Sequence, residues 1–502
     1  MSPLDRFRRS RVIERPDLGN LSSSTETLPE NLPVPETPDL TRAQEEEDPS
    51  PAGSIDGSAR EVSPDDEDAT LEEFGLSLLE RAVDFLSGVS SSGDRPEQGP
   101  HPDCGWRPWL LILAYYLVFM NTCGWTNSFG FFQAYDAKNT SLGVEQISQI
   151  GSLSAFLLFF IGALVSHFVR ADNIHWIFSV GIVFQLFGTI LTSTYDEYWE
   201  YLGAQGVLVG LGHGLVFSPV LAILSTRFAQ RRLLAMGIAA SGSSTGGALF
   251  TSLFQNLLPK VGYHWTSVIV SWVKLVSLVI AMILIKPRAN SPALELWWIQ
   301  LVTPFKDIEY VLYIIASLCT TSGVYLTYFF LIASCQTAFD GTYPFGDSLT
   351  MFAVSNATGV VSILFFIAAH YFGVINVSAL TTLGAAIMLY SWTAVSNQTG
   401  LYVWSSIYGI FAATVQTLLP MGVLMLTNSR DNSGFEISVA FMVVSFAALG
   451  GPLIAARLIE HKGGYKGAQI FAGSVMLLGS AMLMAAKGLS LEKPGVDLKS
   501  KV

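Results

Sequence analysis

Three ionisable side chains stand inside long apolar stretches of this 502-residue chain, where a charge is expensive and therefore informative. His213 sits in the glycine-rich run Gly210-Leu211-Gly212-His213-Gly214, Lys274 in the middle of another apolar stretch, and Glu436 near the start of a third. An imidazole so placed can titrate near neutral pH and carry a proton or hold a solute, or it can simply bond across helices. Lys274 can snorkel or pair internally, and Glu436 can lie at an interface. All three are candidate coupling groups, and residue type alone does not separate these roles. A catalyst would need a convergent set such as paired carboxylates or a histidine cluster, and the seven histidines are scattered. No enzyme activity, cofactor or metal site is expected.

The elements that must position these groups are helices. Twelve apolar segments run over about 108–132, 147–169, 174–194, 199–225, 232–258, 264–286, 310–333, 348–373, 375–395, 401–427, 433–458 and 466–488. Most reach the roughly 20 residues that a helix needs to cross about 30 Å of hydrocarbon. Strands of a barrel would instead read as segments of about 10 residues alternating polar and apolar. The longest inner connection, about 287–309, divides the spans into six and six. The expected fold is therefore an all-α membrane protein, with an N-terminal half over 106–286 and a C-terminal half over 310–488. Two spans are weakly marked: Gln185 and several hydroxyls dilute the third, and Gly373 barely separates the ninth from the eighth.

Charge is unevenly spread. Residues 1–105 hold 24 acids against 9 Arg, whereas the remaining 16 acids and 19 bases leave the apolar part mildly basic. That first region is rich in Ser, Pro, Glu and Asp, too polar to bury a core, and is expected to be a disordered cytosolic tail. Within it Thr70-Leu71-Glu72-Glu73 has a capping-box pattern, and apolar residues recur at helical spacing to about residue 87, so a short amphipathic helix is expected there. No apolar run follows the early arginines, which argues against a secretory signal. Nucleic acid is not an expected partner. The four cysteines fall in or beside different spans and form no disulfide framework.

An even number of spans places both ends of the chain on one side, and basic residues decide which. With the termini in the cytosol, the inner loops and the 489–502 tail collect Arg170, Arg227, Arg231, Arg232, Lys286, Arg288, Lys306 and Arg430 among others, and the outer loops only Lys138, Lys260, Lys462 and Lys466. Candidate glycosylation sites at Asn139 and Asn397 then fall outside.

Two stretches carry a family resemblance. Asp103-Cys104-Gly105-Trp106-Arg107-Pro108-Trp109 leads to Asn127-Ser128-Phe129-Gly130-Phe131-Phe132-Gln133-Ala134-Tyr135, and Arg227-Phe228-Ala229-Gln230-Arg231-Arg232 opens the fifth span, continuing through Met236-Gly237-Ile238-Ala239-Ala240-Ser241-Gly242. Both resemble signatures of the monocarboxylate-transporter-like branch of the major facilitator superfamily, especially its fungal members, over about residues 103–488. Physics gives the motif residues packing and gating roles: Arg231 and Arg232 hold topology at a helix start, while Gly237 and Gly242, like Gly206, Gly210 and Gly214 in the fourth span, let helices approach closely. One departure bears on mechanism. Proton-coupled members that this chain resembles carry an Arg in the eighth span, and here Asn356-Ala357-Thr358-Gly359-Val360-Val361-Ser362-Ile363 puts Ile363 at that position.

The resemblance implies that the first, fourth, seventh and tenth spans line a central cavity. Candidate substrate-binding residues are then Asn121, Trp125 and Asn127; His213; Tyr325 and Tyr328; and Tyr408 and Gln416, with Thr122, Thr320, Thr321 and Thr414 beside them. Hydroxyls here can equally bond to their own helices. Aromatics with neutral amides suit a moderately large, amphipathic organic solute. The expected function is secondary active transport of such a solute by alternating access, tilted by Ile363 toward a metabolite carrier or exporter of a secondary-metabolite pathway. The alternatives are proton-coupled uptake of a monocarboxylate or vitamin-like nutrient, and a transport-dead membrane sensor. A monomer in the plasma membrane is expected, with vacuolar or peroxisomal membrane as alternatives; its partners are the solute, the bilayer and protons as coupling ion.

Overall fold

A computed structural model describes residues 106–166, 168–169, 173–194, 197–227, 232–285, 303–338, 344–395, 397–426, 433–461 and 464–492. The acidic tail with its expected helix, most of the 287–309 connection, Arg231, the side chain of Arg232 and the residues from 493 onward lie outside the described residues. All the spans belong to one compact unit, Gly88–Val502.

Among the described residues ten helical stretches are long and apolar enough to cross a bilayer. Two local effects separate these ten from the twelve segments of the sequence. The stretch Leu234–Leu284 is 51 residues long and holds both the fifth and sixth spans. It breaks at Gly262, whose φ of 78° and ψ of 172° are a left-handed conformation that a side chain disfavours, three residues after Pro259 removes a backbone donor. The fourth span is segmented into Tyr198–Tyr201, a π-helical turn Leu202–Leu208 and Val209–Arg227. Gly373, at φ 87°, separates the eighth span, Phe345–Phe372, from the ninth, Val374–Trp392. Gln185, the polar residue of the third span Ile174–Leu191, is buried and donates to the Gly212 carbonyl of the fourth at 3.2 Å.

Hydroxyls shape the first span. It runs as Trp106–Asn121, Cys123–Asn127 and Phe129–Asn139, with interruptions at Thr122 and Ser128. Each of these residues donates its hydroxyl to its own helix, Thr122 to the Val118 carbonyl and Ser128 to the Trp125 carbonyl, both at 2.7 Å. Such back-bonding bends helices.

Packing repeats with a period of six spans. The first lies on the fifth and sixth, the second on the fourth, and the third on the fourth and sixth; the seventh lies on the eleventh and twelfth, the eighth on the tenth, and the ninth on the tenth and twelfth. The halves meet where the second packs on the eleventh and the fifth on the eighth. Glycine makes the closest approaches: a Cβ on Gly124 would stand 2.7 Å from the Gly246 Cα, and one on Gly409 would fall on the Ser355 carbonyl oxygen. Large exposed apolar side chains stud the third, sixth, ninth and twelfth spans, among them Phe187, Trp272, Leu380 and Leu478. Faces of that kind match a hydrocarbon solvent.

Gly409→Ala is expected to lower the thermal unfolding midpoint of detergent-solubilised protein, by the about 1–3 kcal/mol or more of an overpacked contact against rigid backbone. Gly450→Ala, where an added Cβ meets nothing within 4 Å, is expected to leave the midpoint within about 0.5 kcal/mol of wild type.

Candidate functional site

A cavity lies between the halves, with about 480 Å³ of non-atom space including the part open to solvent. The first half supplies Phe119, Cys123, Phe159, Phe217 and Ser243, and the second Thr321, Tyr325, Gln416, Thr417 and Phe441. Among the described residues no Asp, Glu, Lys, Arg or His lines it. Phe159 stacks on Phe441 across the halves at 5.2 Å between centroids, and Phe217 meets Phe441 edge-on at 5.7 Å. The Ser243 and Thr417 hydroxyls donate to carbonyls of their own helices, Ala240 and Ala413, both at 2.8 Å.

The cavity occupies one end of the bundle. Its lining residues lie at mid-span or in the halves of the spans nearer the face where residues 106 and 492 stand, here termed the terminal face. Toward the opposite face the two halves close on each other. Phe129 packs on Phe329 at 4.7 Å, and a Cβ on Gly130 would fall on the Tyr328 carbonyl oxygen. At the rim Arg457 Nε reaches Glu145 Oε1 at 3.0 Å, the Glu145 amide donates to Glu460 Oε1 at 3.1 Å, and Gln255 Nε2 donates to Thr350 Oγ1 at 2.7 Å. The structure is thus sealed at the opposite face.

Behind the cavity wall, inside the first half, lies a buried basic cluster. Lys274 is fully buried, with Nζ 3.6 Å from the centroid of the Trp125 ring and 5.9 Å from that of Phe250. Its ammonium has no hydrogen-bond partner among the described residues. His213 is equally buried, with neither ring nitrogen bonded among the described residues. One helical turn along, Asn121 Nδ2 donates to Ser277 Oγ at 2.8 Å, tying the first span to the sixth. Phe217, one turn from His213 on the fourth span, belongs to the cavity lining. A desolvated cation on an indole face gains about 2 kcal/mol, well short of the several kcal/mol that removing an ammonium from water costs.

The remaining candidates scatter. Tyr325 and Gln416 line the cavity, and Asn127 bonds Gln416 reciprocally, with Asn127 Nδ2 to Gln416 Oε1 at 3.1 Å and Gln416 Nε2 to Asn127 Oδ1 at 3.3 Å. Tyr328 is buried against Phe352, and Tyr408 is stacked on Trp404 at 5.1 Å; neither belongs to the cavity lining. The Thr122, Thr320 and Thr414 hydroxyls bond to their own helices. Glu436 stands in the first turn of the eleventh span, its carbonyl accepting from the Tyr310 hydroxyl at 2.9 Å, and so lies near the terminal face and apart from Lys274. Gly206, Gly210 and Gly214 face the second span, Gly237 faces Phe366, and Gly242 faces the Tyr116 carbonyl. Asn139 and Asn397 are exposed at the opposite face, where Asn397 Oδ1 accepts from the Gly400 amide at 2.9 Å.

Two residues absent from the sequence candidates stand out. Asp136, next to the quoted motif, is 2% exposed with Oδ1 unbonded, near the opposite-face end of the first span. Arg457 closes the rim between the halves. An acid within an apolar span was a readable signal for the first; nothing local marks the second.

Residues 114–423 match the family model of the Major Facilitator Superfamily. The chain belongs to this superfamily. It is 33% identical over 437 residues to an MFS-type transporter of Gibberella zeae, covering 86% of this chain and 96% of that protein. It is 28% identical to the aspyridones efflux protein of Emericella nidulans, over 80% of this chain and 82% of that one, and 27% identical to the fujikurins efflux protein of Gibberella fujikuroi, over 88% and 97%. A crystal structure of the nucleoside transporter NupG superposes with a TM-score of 0.57 at 15% identity, over 76% of this chain and 100% of that one, which places the fold. The protein is a superfamily transporter of two six-helix halves.

Lys274→Met is expected to leave the thermal midpoint unchanged or raised, since it fills a similar volume without a buried charge. Trp125→Ala is expected to lower it, with about 3–5 kcal/mol lost from the packing with Phe132, Phe250 and Phe254. A fall for Lys274→Met comparable to that of Trp125→Ala would show that the cation–indole contact outweighs desolvation.

Proposed function

We propose that the protein exports a predominantly apolar organic metabolite from the cytosol, with the terminal face cytosolic and the plasma membrane as its site. One observation carries this reading: a cavity walled mainly by aromatic and aliphatic side chains, with no charged group among the described residues that line it. A carboxylate bound there would meet no cation, and Ile363 stands where the resemblance would put an arginine. The efflux proteins among the relatives, whose names carry aspyridones and fujikurins, support the outward direction. The excess of basic residues in the loops of the terminal face supports its cytosolic placement. The sealed opposite face makes this the state that loads from the cytosol.

Lys274 and His213 are the groups best suited to couple transport to protons. They are buried and without a hydrogen-bond partner among the described residues, so a change in the separation of the spans would change their hydration. Lys274→Met would then uncouple transport while sparing the fold.

Removing the gene from its native fungal host and comparing metabolites in cells and medium tests the export reading. One apolar solute is expected to accumulate inside the deletion strain and fall in the medium, with collapse of the proton gradient in wild type giving the same pattern. Depletion of a solute inside the deletion strain would reverse the direction. No difference in either compartment, with the protein verified in its membrane, would overturn transport of a metabolite made by that host.

A further inference from the structure

We infer that Asn127 is an internal stand-in for the substrate, and that the substrate carries a cis donor–acceptor edge, as in a lactam or cis secondary amide, which replaces Asn127 on Gln416. The inference rests on the export reading and names its substrate class.

Two features of the cavity lead to it. Of the wall hydroxyls, those of Ser243 and Thr417 donate to their own helices and have no hydrogen left for a solute, while Thr321 and Tyr325 carry the other two. Gln416 differs: it is part-buried, lines the cavity, and turns its amide edge away from its own helix. That edge is satisfied by Asn127 of the facing half, through one bond in each direction at 3.1 and 3.3 Å. A carboxamide paired in this way is matched by any group that sets an N–H beside a C=O on one edge. Asn127 itself is 1% exposed, so it can release Gln416 only when something else completes that edge or when the halves part.

The exchange has two consequences. Since the solute's two bonds replace two that already exist, they add little net affinity; they discriminate, because a solute without the edge leaves Gln416 or Asn127 unpaired at about 1–3 kcal/mol. The pair also joins the first span to the tenth, so a solute that takes Gln416 cuts a direct bond between the halves. A ligand of this class therefore favours separation of the halves by the bonds it substitutes.

Cys123, in the cavity lining, reports occupancy. Purified full-length protein is treated with N-ethylmaleimide, and alkylation at Cys123 is followed by peptide mass spectrometry with Cys319 and Cys335 as internal references. The probes are an octyl-substituted 2-pyridone with a free N–H and its N-methyl derivative, equal in apolar surface but for one methyl. The N–H probe is expected to protect Cys123 at about a fivefold lower concentration than the N-methyl probe, the ratio that one net hydrogen bond gives. In Asn127→Ala the N–H probe is expected to protect at about a fivefold lower concentration than in wild type, because no internal partner has to leave. In Gln416→Leu the two probes are expected to become equal. Equal protection by both probes in wild type would overturn the inference and leave the export reading standing. Protection by neither would overturn both. The wild-type comparison needs no variant, so a variant that fails to fold does not spare the inference.

Discussion

Hydrocarbon offers no hydrogen-bond partner, and this constraint organises the molecule from backbone to site. It selects helices for the spans, and it makes each buried polar side chain find a partner inside the protein. Most hydroxyls do so at once, by donating to a carbonyl three or four residues earlier, as Ser317, Thr327, Thr381 and Ser438 do. Asn127 and Gln416 satisfy each other across the halves, whereas Lys274, His213 and Asp136, like Gln205, Ser355 and Tyr408, keep buried polar atoms unbonded among the described residues.

The two halves repeat the same pattern of helix contacts, yet they are not equivalent. The first holds the buried cation and the imidazole; the second holds Gln416 and the Trp392, Trp404 and Tyr408 stack, with centroids at 4.8 and 5.1 Å. One half thus carries the ionisable chemistry and the other a rigid aromatic pillar. The contacts that close the opposite face differ in kind between its two seams. The second and eleventh spans meet through an ion pair with Arg457 71% exposed, and exposed pairs of this sort contribute at most about 1 kcal/mol. The fifth and eighth spans meet there through the neutral amide of Gln255. The polar contacts at these seams are weak, and the closure is completed by Phe129 on Phe329 and by Gly130 against the Tyr328 carbonyl.

How far this was legible in the sequence depends on the length scale of each signal. Span positions were legible because hydropathy is summed over about 20 residues and tolerates local irregularity. The break between the fifth and sixth spans was legible in Pro259 and Gly262, whereas the π turn at Leu202–Leu208 was not, since it is a backbone event without a compositional mark. Polar side chains pointing inward were legible for the same thermodynamic reason that makes them rare. Which inward residues reach the cavity was not. Tyr325 and Tyr328 are three residues apart on one helix, yet only Tyr325 belongs to the lining, and Tyr408 lies against Trp404. A rotation of some 60° about a helix axis separates the two outcomes, and only the assembled neighbours fix it. The Asn127–Gln416 pair joins residues 289 positions apart, beyond the reach of any local pattern.

The position of Lys274 bears on the nature of the solute more than its chemistry alone does. Had the ammonium faced the cavity, an anion would have been the natural cargo. Instead Trp125 covers it at 3.6 Å, and among the described residues no charged group lines the cavity. Under the export reading proposed above, a neutral molecule with a large apolar body fits such a lining, with Gln416 as its polar contact.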